Sequence, residues 1–160
     1  MNNLILFLRL SRPIFIIGVM ILYALGASIA RYLGIAINWE VYIFGQIWVT
    51  LLQLGTQYLN EYFNSPADIN NPNKTLFTGG SGVLGPGKLP RRIALIAALT
   101  CLAILASTTV LLIANVNLTV VTIFIMLFAF VGALSYSTPP MKLEGSGYGE
   151  LIVSIIVAFL

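Results

Sequence analysis

The chain has 160 residues, 59% of them apolar and 8% charged, with a formal net charge of +3 and no histidine. Soluble globular chains carry about 45–50% apolar and about 25% charged residues, so this composition indicates an integral membrane protein. No basic stripe with interleaved aromatics accompanies the positive charge, which excludes a nucleic-acid partner.

Four apolar runs follow in chain order, Pro13 to Leu33, Trp39 to Leu59, Ile93 to Ala114 and Leu118 to Tyr136. Each is near the roughly 20 residues a helix needs to cross a bilayer core of about 30 Å. A fifth run begins at Glu150 and reaches Leu160 half finished. The predicted fold is therefore all-α, a polytopic transmembrane helix bundle with four complete spans and a truncated fifth. Residues 1–160 read as the N-terminal part of a single domain whose C-terminal half is missing. The first run is longer than the apolar core of a signal peptide, about 7–15 residues, and further runs follow it, so it is expected to be retained.

Basic residues orient the bundle. Arg9 and Arg12 precede the first run, Lys74, Lys88, Arg91 and Arg92 lie between the second and third, and Lys142 follows the fourth. If each run crosses once, these seven share one side and only Arg31 lies on the other. The positive-inside rule makes the shared side cytoplasmic, in the cell membrane, with the N-terminus and the two polar connections facing inward. Those connections run from Asn60 to Arg92 and from Ser137 to Gly149. The first is too long for a mere turn, and loops of that size are usually functional or disordered. Cys101 falls inside the third run, where a lone thiol packs and makes no internal disulfide.

Two of the five acidic residues, Glu61 and Asp68, occur in the segment Asn60-Glu61-Tyr62-Phe63-Asn64-Ser65-Pro66-Ala67-Asp68. If the second helix continued, Asn60, Asn64 and Asp68 at i, i+4, i+8 and Glu61, Asn64 and Asp68 at i, i+3, i+7 would occupy neighbouring stripes of one face. Pro66 disfavours helix at Ser65, so the helix is expected to end or kink there, with Asp68 curling back from the loop. Carboxylate and amide oxygens suit Mg²⁺ held together with phosphate, and not zinc, which wants His and Cys. The same residue types also serve as helix caps and turns at a membrane boundary, and spacing alone supports both readings. Lys74, six residues on, offers a point charge for phosphate, and Gly79-Gly80-Ser81-Gly82 an anion nest. Gly82 to Lys88 has P-loop spacing, but Leu89 stands where Ser or Thr would hold Mg²⁺, so nucleotide hydrolysis is excluded.

Taken together, the segment Asn60 to Asp68, the stretch Thr75 to Leu84, the run Tyr136-Ser137-Thr138-Pro139-Pro140-Met141-Lys142-Leu143 with Gly147 to Leu151, and the opening Leu10-Ser11-Arg12-Pro13 resemble the UbiA superfamily of intramembrane prenyltransferases. The resemblance is closest to the branch that prenylates 1,4-dihydroxy-2-naphthoate in menaquinone synthesis. It implies Mg²⁺-dependent transfer of a polyprenyl group from an isoprenyl diphosphate to an aromatic acceptor, inside the lipid bilayer. It also implies that Asn60, Glu61, Asn64 and Asp68 fill an Asn-Asp-x-x-Asp-x-x-x-Asp motif, with Glu61, Asn64 and Asp68 as metal ligands. Asn64 departs from that motif by replacing a carboxylate with a neutral amide. Lys74, Tyr62, Tyr136 and Lys142 are the implied substrate-binding positions, with Tyr58 and Phe63 as further cavity-lining aromatics. A second aspartate-rich motif has no counterpart in these 160 residues, so the chain alone is expected to be inactive. The rival expectation is a non-catalytic membrane subunit or transporter fragment whose loop binds a cation or nothing.

Overall fold

The computed structural model describes residues 2–69, 72, 75 and 79–159. All the regular elements among them are helices: α1 (Asn3–Leu10), α2 (Pro13–Tyr32), α3 (Trp39–Ile69), α4 (Arg91–Asn115), α5 (Val120–Ser137), a 3₁₀ turn (Leu143–Gly145) and α6 (Gly149–Phe159). Local chemistry sets the helix starts. Pro13 opens α2, where its missing N–H costs nothing. Asn38 Oδ1 accepts from the backbone N–H of Glu40 and Val41 at 3.0 and 3.3 Å at the start of α3. Thr119 caps α5 by accepting from Thr122 N–H at 3.1 Å.

Helix α3 is the axis of the bundle and packs on α2, α4 and α5, while α6 and the 3₁₀ turn lean on α5. A short connection after α2 brings α3 back against it, whereas α5, which follows α4 after another short connection, packs on α3. Close approach of α3 to α4 depends on small residues. Ala94 and Ala98 are fully buried, and a side chain at Gly55 would come within 3.2 Å of Leu102. The glycine-rich segment before α4 tucks Val83, Leu84 and Leu89 under α1, where they meet Leu6, Leu10, Tyr58 and Leu59. A second core of Trp48, Val49, Leu52, Leu105, Leu112 and Ala129 joins α3 to α4 and α5 farther along the bundle.

Three helices, α2, α4 and α5, are long and apolar enough to cross a membrane. Four complete spans and a truncated fifth were expected. The difference lies in α3, whose apolar stretch is interrupted by Gln46, Gln53 and Gln57 along with Thr50 and Thr56, and in α6, which has only 11 residues. Helix α2 carries no buried residue. Ile17, Ile21, Leu25 and Ile29, four residues apart, are 51–61% exposed and form a continuous apolar ridge on its outer face. Such a ridge is at home against lipid hydrocarbon and costly against water.

Helix α3 does not end near Ser65, and Asp68 does not curl back from a loop, because the helix runs through Pro66 to Ile69. Pro66 has no N–H to give the carbonyl four residues back, that of Tyr62. Arg91, at the start of α4, donates to it instead, from Nε to Tyr62 O at 2.5 Å, and its guanidinium lies 4.2 Å from the Tyr62 ring centre. Ser65 Oγ adds a weaker bond to the same oxygen at 3.4 Å. The orphaned acceptor is satisfied from outside the helix, and the last turn survives.

Candidate functional site

Survival of that turn decides where Asp68 goes. Residues four apart on an α-helix drift by only about 40°, so Asn60, Asn64 and Asp68 share one face. All three line a cavity of about 780 Å³ bounded by α2, α3, α5 and α6. That size is within the range of about 300–1,000 Å³ for small-molecule sites. The cavity is polar at one end, where Arg12, Asn60, Asn64, Asp68, Lys142 and Glu144 gather. Along α2 and α3 it becomes apolar, with Phe15, Val19, Leu22, Val49 and Leu52 in its walls. From Val49 to Asp68 its wall follows α3 for roughly 28 Å at 1.5 Å per residue.

Glu144 is the centre of the polar end. Its Oε2 accepts from Asn60 Nδ2 at 2.6 Å and from Ser137 Oγ at 3.3 Å, and its Oε1 accepts from Asn64 Nδ2 at 2.7 Å. Asn60 Nδ2 also donates to Ser137 Oγ at 2.8 Å, and Ser137 is 1% exposed. With both amide nitrogens turned to Glu144, neither amide oxygen has a hydrogen-bond partner among the described residues. Gly149 makes room for this arrangement. A side chain there would sit 2.9 Å from the Glu144 Cα and 3.1 Å from the Tyr136 ring, and the backbone atom cannot yield cheaply.

Glu61, about 100° around the helix from Asn60, faces the glycine-rich segment. It is 2% exposed, and its two oxygens accept from Ser81 N–H at 2.6 Å and from Ser81 Oγ at 2.7 Å. Arg12 Nη1 stands 3.9 Å from Oε1. Burial pushes the Glu61 carboxyl above its ordinary value. The Ser81 donors and Arg12 pull it back, and nearby Asp68 raises it again. Glu61 thus pins the glycine-rich segment to α3. It shares a smaller cavity of about 150 Å³ with Ser65, Asp68, Gly80, Gly82 and Lys88. Asp68 borders both cavities, and its carboxylate lies so close to Gly80, at φ +70°, that a Cβ there would approach Oδ2 to 2.5 Å. Lys88 donates to Gly82 O at 2.6 Å and closes the segment on itself.

Two basic residues complete the polar end. Arg12, with its guanidinium carbon 4.5 Å from the Phe15 ring centre, and Lys142 both line the large cavity. They are also the only non-glycine residues with positive φ among those described, at 42° and 41°. Left-handed backbone at a bulky residue costs about 1–2 kcal/mol, and such strain clusters at functional sites.

Of the substrate-binding positions expected from sequence, Tyr136 and Lys142 line the cavity. Tyr62 is on the other side of α3, against Arg91 and Phe63, and Lys74 lies outside the described residues. Tyr58 is buried and hydrogen-bonded to Ser11 Oγ at 2.5 Å. Glu61 lines the smaller cavity and Asn64 the larger, with Asp68 bordering both, and among the described residues no three His, Cys, Asp or Glu side chains form a metal-sized cluster. Mg²⁺ bound through one or two carboxylates and completed by phosphate and water is a different case, and Asp68 and Glu144, which both line the large cavity, are of that donor type.

Sequence reasoning missed two participants, Arg12 and Glu144. Arg12 was legible as a topology charge and as part of the opening Leu10 to Pro13, with no place in the site. Glu144 is 80 and 84 residues from its amide partners, a separation that no local spacing encodes. Comparison with protein-family models, with curated proteins and with solved structures finds no match to this chain.

Proposed function

We propose that this protein is a UbiA-type membrane prenyltransferase component. It takes a polyprenyl diphosphate and directs the prenyl group to an aromatic acceptor such as 1,4-dihydroxy-2-naphthoate in quinone biosynthesis, with Mg²⁺. The observation that carries this reading is the long cavity along α3, charged and amide-rich at one end and apolar at the other. A diphosphate head with an isoprenoid tail has the same polarity pattern.

In this reading Arg12 and Lys142 hold the diphosphate oxygens and stabilise the charge that grows on them as the allylic C–O bond breaks and its electrons leave with the diphosphate. Mg²⁺, when bound with Asp68 at the mouth, supplies further neutralisation of that leaving group. An electron-rich ring carbon of the acceptor then bonds to the allylic carbon, and the proton displaced from that carbon passes to the released diphosphate. The apolar walls keep water from the cation in the meantime, and the Tyr136 ring face stabilises positive charge beside it. The cytoplasmic orientation expected from the basic residues puts the mouth where soluble Mg²⁺ and acceptor can reach it.

Asn64 and the lack of a three-acid cluster among the described residues favour a second reading, a non-catalytic membrane subunit or transporter component. Binding separates the two, and it does not require the second aspartate-rich motif. Labelled farnesyl diphosphate should bind the chain in lipid nanodiscs saturably and only with Mg²⁺, and inorganic pyrophosphate should displace it while farnesol does not. Mg²⁺-independent or non-saturable uptake would remove the enzyme reading.

A further inference from the structure

We propose that Glu144 supplies, across space, the carboxylate that Asn64 lacks in sequence, and that with Asp68 it takes the divalent cation of a bound diphosphate. This rests on the reading of the large cavity as a diphosphate site. The four-residue spacing on α3 would offer Asp68 a carboxylate neighbour one turn back, and position 64 provides only an amide. Yet Asn64 Nδ2 is 2.7 Å from Glu144 Oε1 and Asn60 Nδ2 is 2.6 Å from Oε2, so a carboxyl group stands within one hydrogen bond of that position. An aspartate at 64 would meet Glu144 as a like charge, whereas an amide meets it as a donor. The amide and the distant carboxylate are thus one complementary pair.

The carboxylate is held in place for such a role. Three donors fix its orientation, the bare Gly149 lets its backbone approach α6, and the 3₁₀ turn that carries it starts from the strained Lys142. Three hydrogen bonds leave one of its roughly four lone-pair positions open. The two amide oxygens, without hydrogen-bond partners among the described residues, add neutral ligands of the same hard type. Glu61, by contrast, has both oxygens engaged by Ser81 and is spent on holding the loop.

The test is calorimetric titration of Mg²⁺ into the 160-residue chain in nanodiscs with inorganic pyrophosphate present, alongside thermal unfolding without Mg²⁺ to score folding. Glu144→Gln should weaken Mg²⁺ binding about tenfold or more, since loss of even an outer-shell partner costs that much. Returning the charge to α3 in the double variant Asn64→Asp/Glu144→Gln should restore most of the affinity. Gly149→Ala, which moves Glu144 without altering any charge, should weaken binding as well and serves if Glu144→Gln does not fold. Wild-type affinity in Glu144→Gln, or a double variant as weak as the single one, would overturn the assignment of Glu144 while leaving the cavity reading intact. A wild-type chain that takes up no Mg²⁺–pyrophosphate would overturn both.

Discussion

Arg91 is predicted to sustain the end of α3 only because Pro66 leaves the Tyr62 carbonyl without a helical donor. Arg91→Ala removes the 2.5 Å bond from Nε to that carbonyl and the stacking 4.2 Å from the Tyr62 ring. A hydrogen bond from a charged donor contributes about 1.5–3 kcal/mol. Arg91 is exposed, which brings its share to about 1 kcal/mol, and a cation–π contact at an exposed site adds about 0.5–1 kcal/mol. The expected cost is about 1.5–2 kcal/mol, measured by denaturant titration in detergent micelles, with faster amide exchange from Ser65 to Ile69. In a Pro66→Ala background the residue at 66 regains its N–H and can bond Tyr62 O within the helix, so Arg91→Ala should cost about 1 kcal/mol less. Additivity of the two substitutions to within about 0.3–0.5 kcal/mol would refute the reasoning, because the carbonyl would then not be shared between the two donors.

Replacing Glu61 should separate its structural role from any ligand role. Glu61→Leu leaves the Ser81 N–H and hydroxyl without their acceptor and should cost about 1–3 kcal/mol, while Glu61→Gln, which keeps the shape and one acceptor, should cost far less in the same titration. The pH dependence follows from the raised Glu61 carboxyl. Its folded state holds a proton at pH values where the unfolded chain has lost it, so that stability is fully present below the ordinary value of 4.5 and is lost as pH rises through the raised value. Unfolding midpoints across that window should fall with pH in the wild type and fall less in Glu61→Gln. Gly80→Ala should impose about 1–2 kcal/mol of left-handed strain and push Asp68 aside, which would appear as weaker pyrophosphate binding than in Gly82→Ala, where φ is similar at +67° but no atom lies within 4 Å of the added carbon.

Helix content and the apolar runs were legible because the membrane demands both from a single stretch of chain. Ile17, Ile21, Leu25 and Ile29 fall in the first of those runs, and the structure leaves all four exposed as one ridge. Helix α3 was harder to read. Its glutamines weaken the apolar signal, and Gln57 is turned inward, 6% exposed, donating to Leu10 O at 3.4 Å. The shared face of Asn60, Asn64 and Asp68 could be drawn from spacing, but only if the helix passed Pro66. That depended on Arg91, 29 residues away. Spacing also placed Glu61 with the other three, because a helical wheel has no means of knowing that Ser81 would claim both its oxygens. Glu144 was hidden for the same reason: its partners are chosen by the packing of the 3₁₀ turn between α5 and α6, a tertiary fact without local sequence expression.

In the proposed function one cavity accepts a charged head between Arg12, Asp68, Lys142 and Glu144 and an apolar tail along α2 and α3. Photo-crosslinking with a prenyl diphosphate carrying a diazirine at the far end of its tail tests it most directly. Mg²⁺-dependent labelling is expected at cavity-facing positions around Val19, Leu22, Val49 and Leu52, suppressed by excess pyrophosphate. Labelling confined to outward residues such as Ile96, Val110 and Phe124, which are 62–66% exposed, and insensitive to pyrophosphate would contradict it.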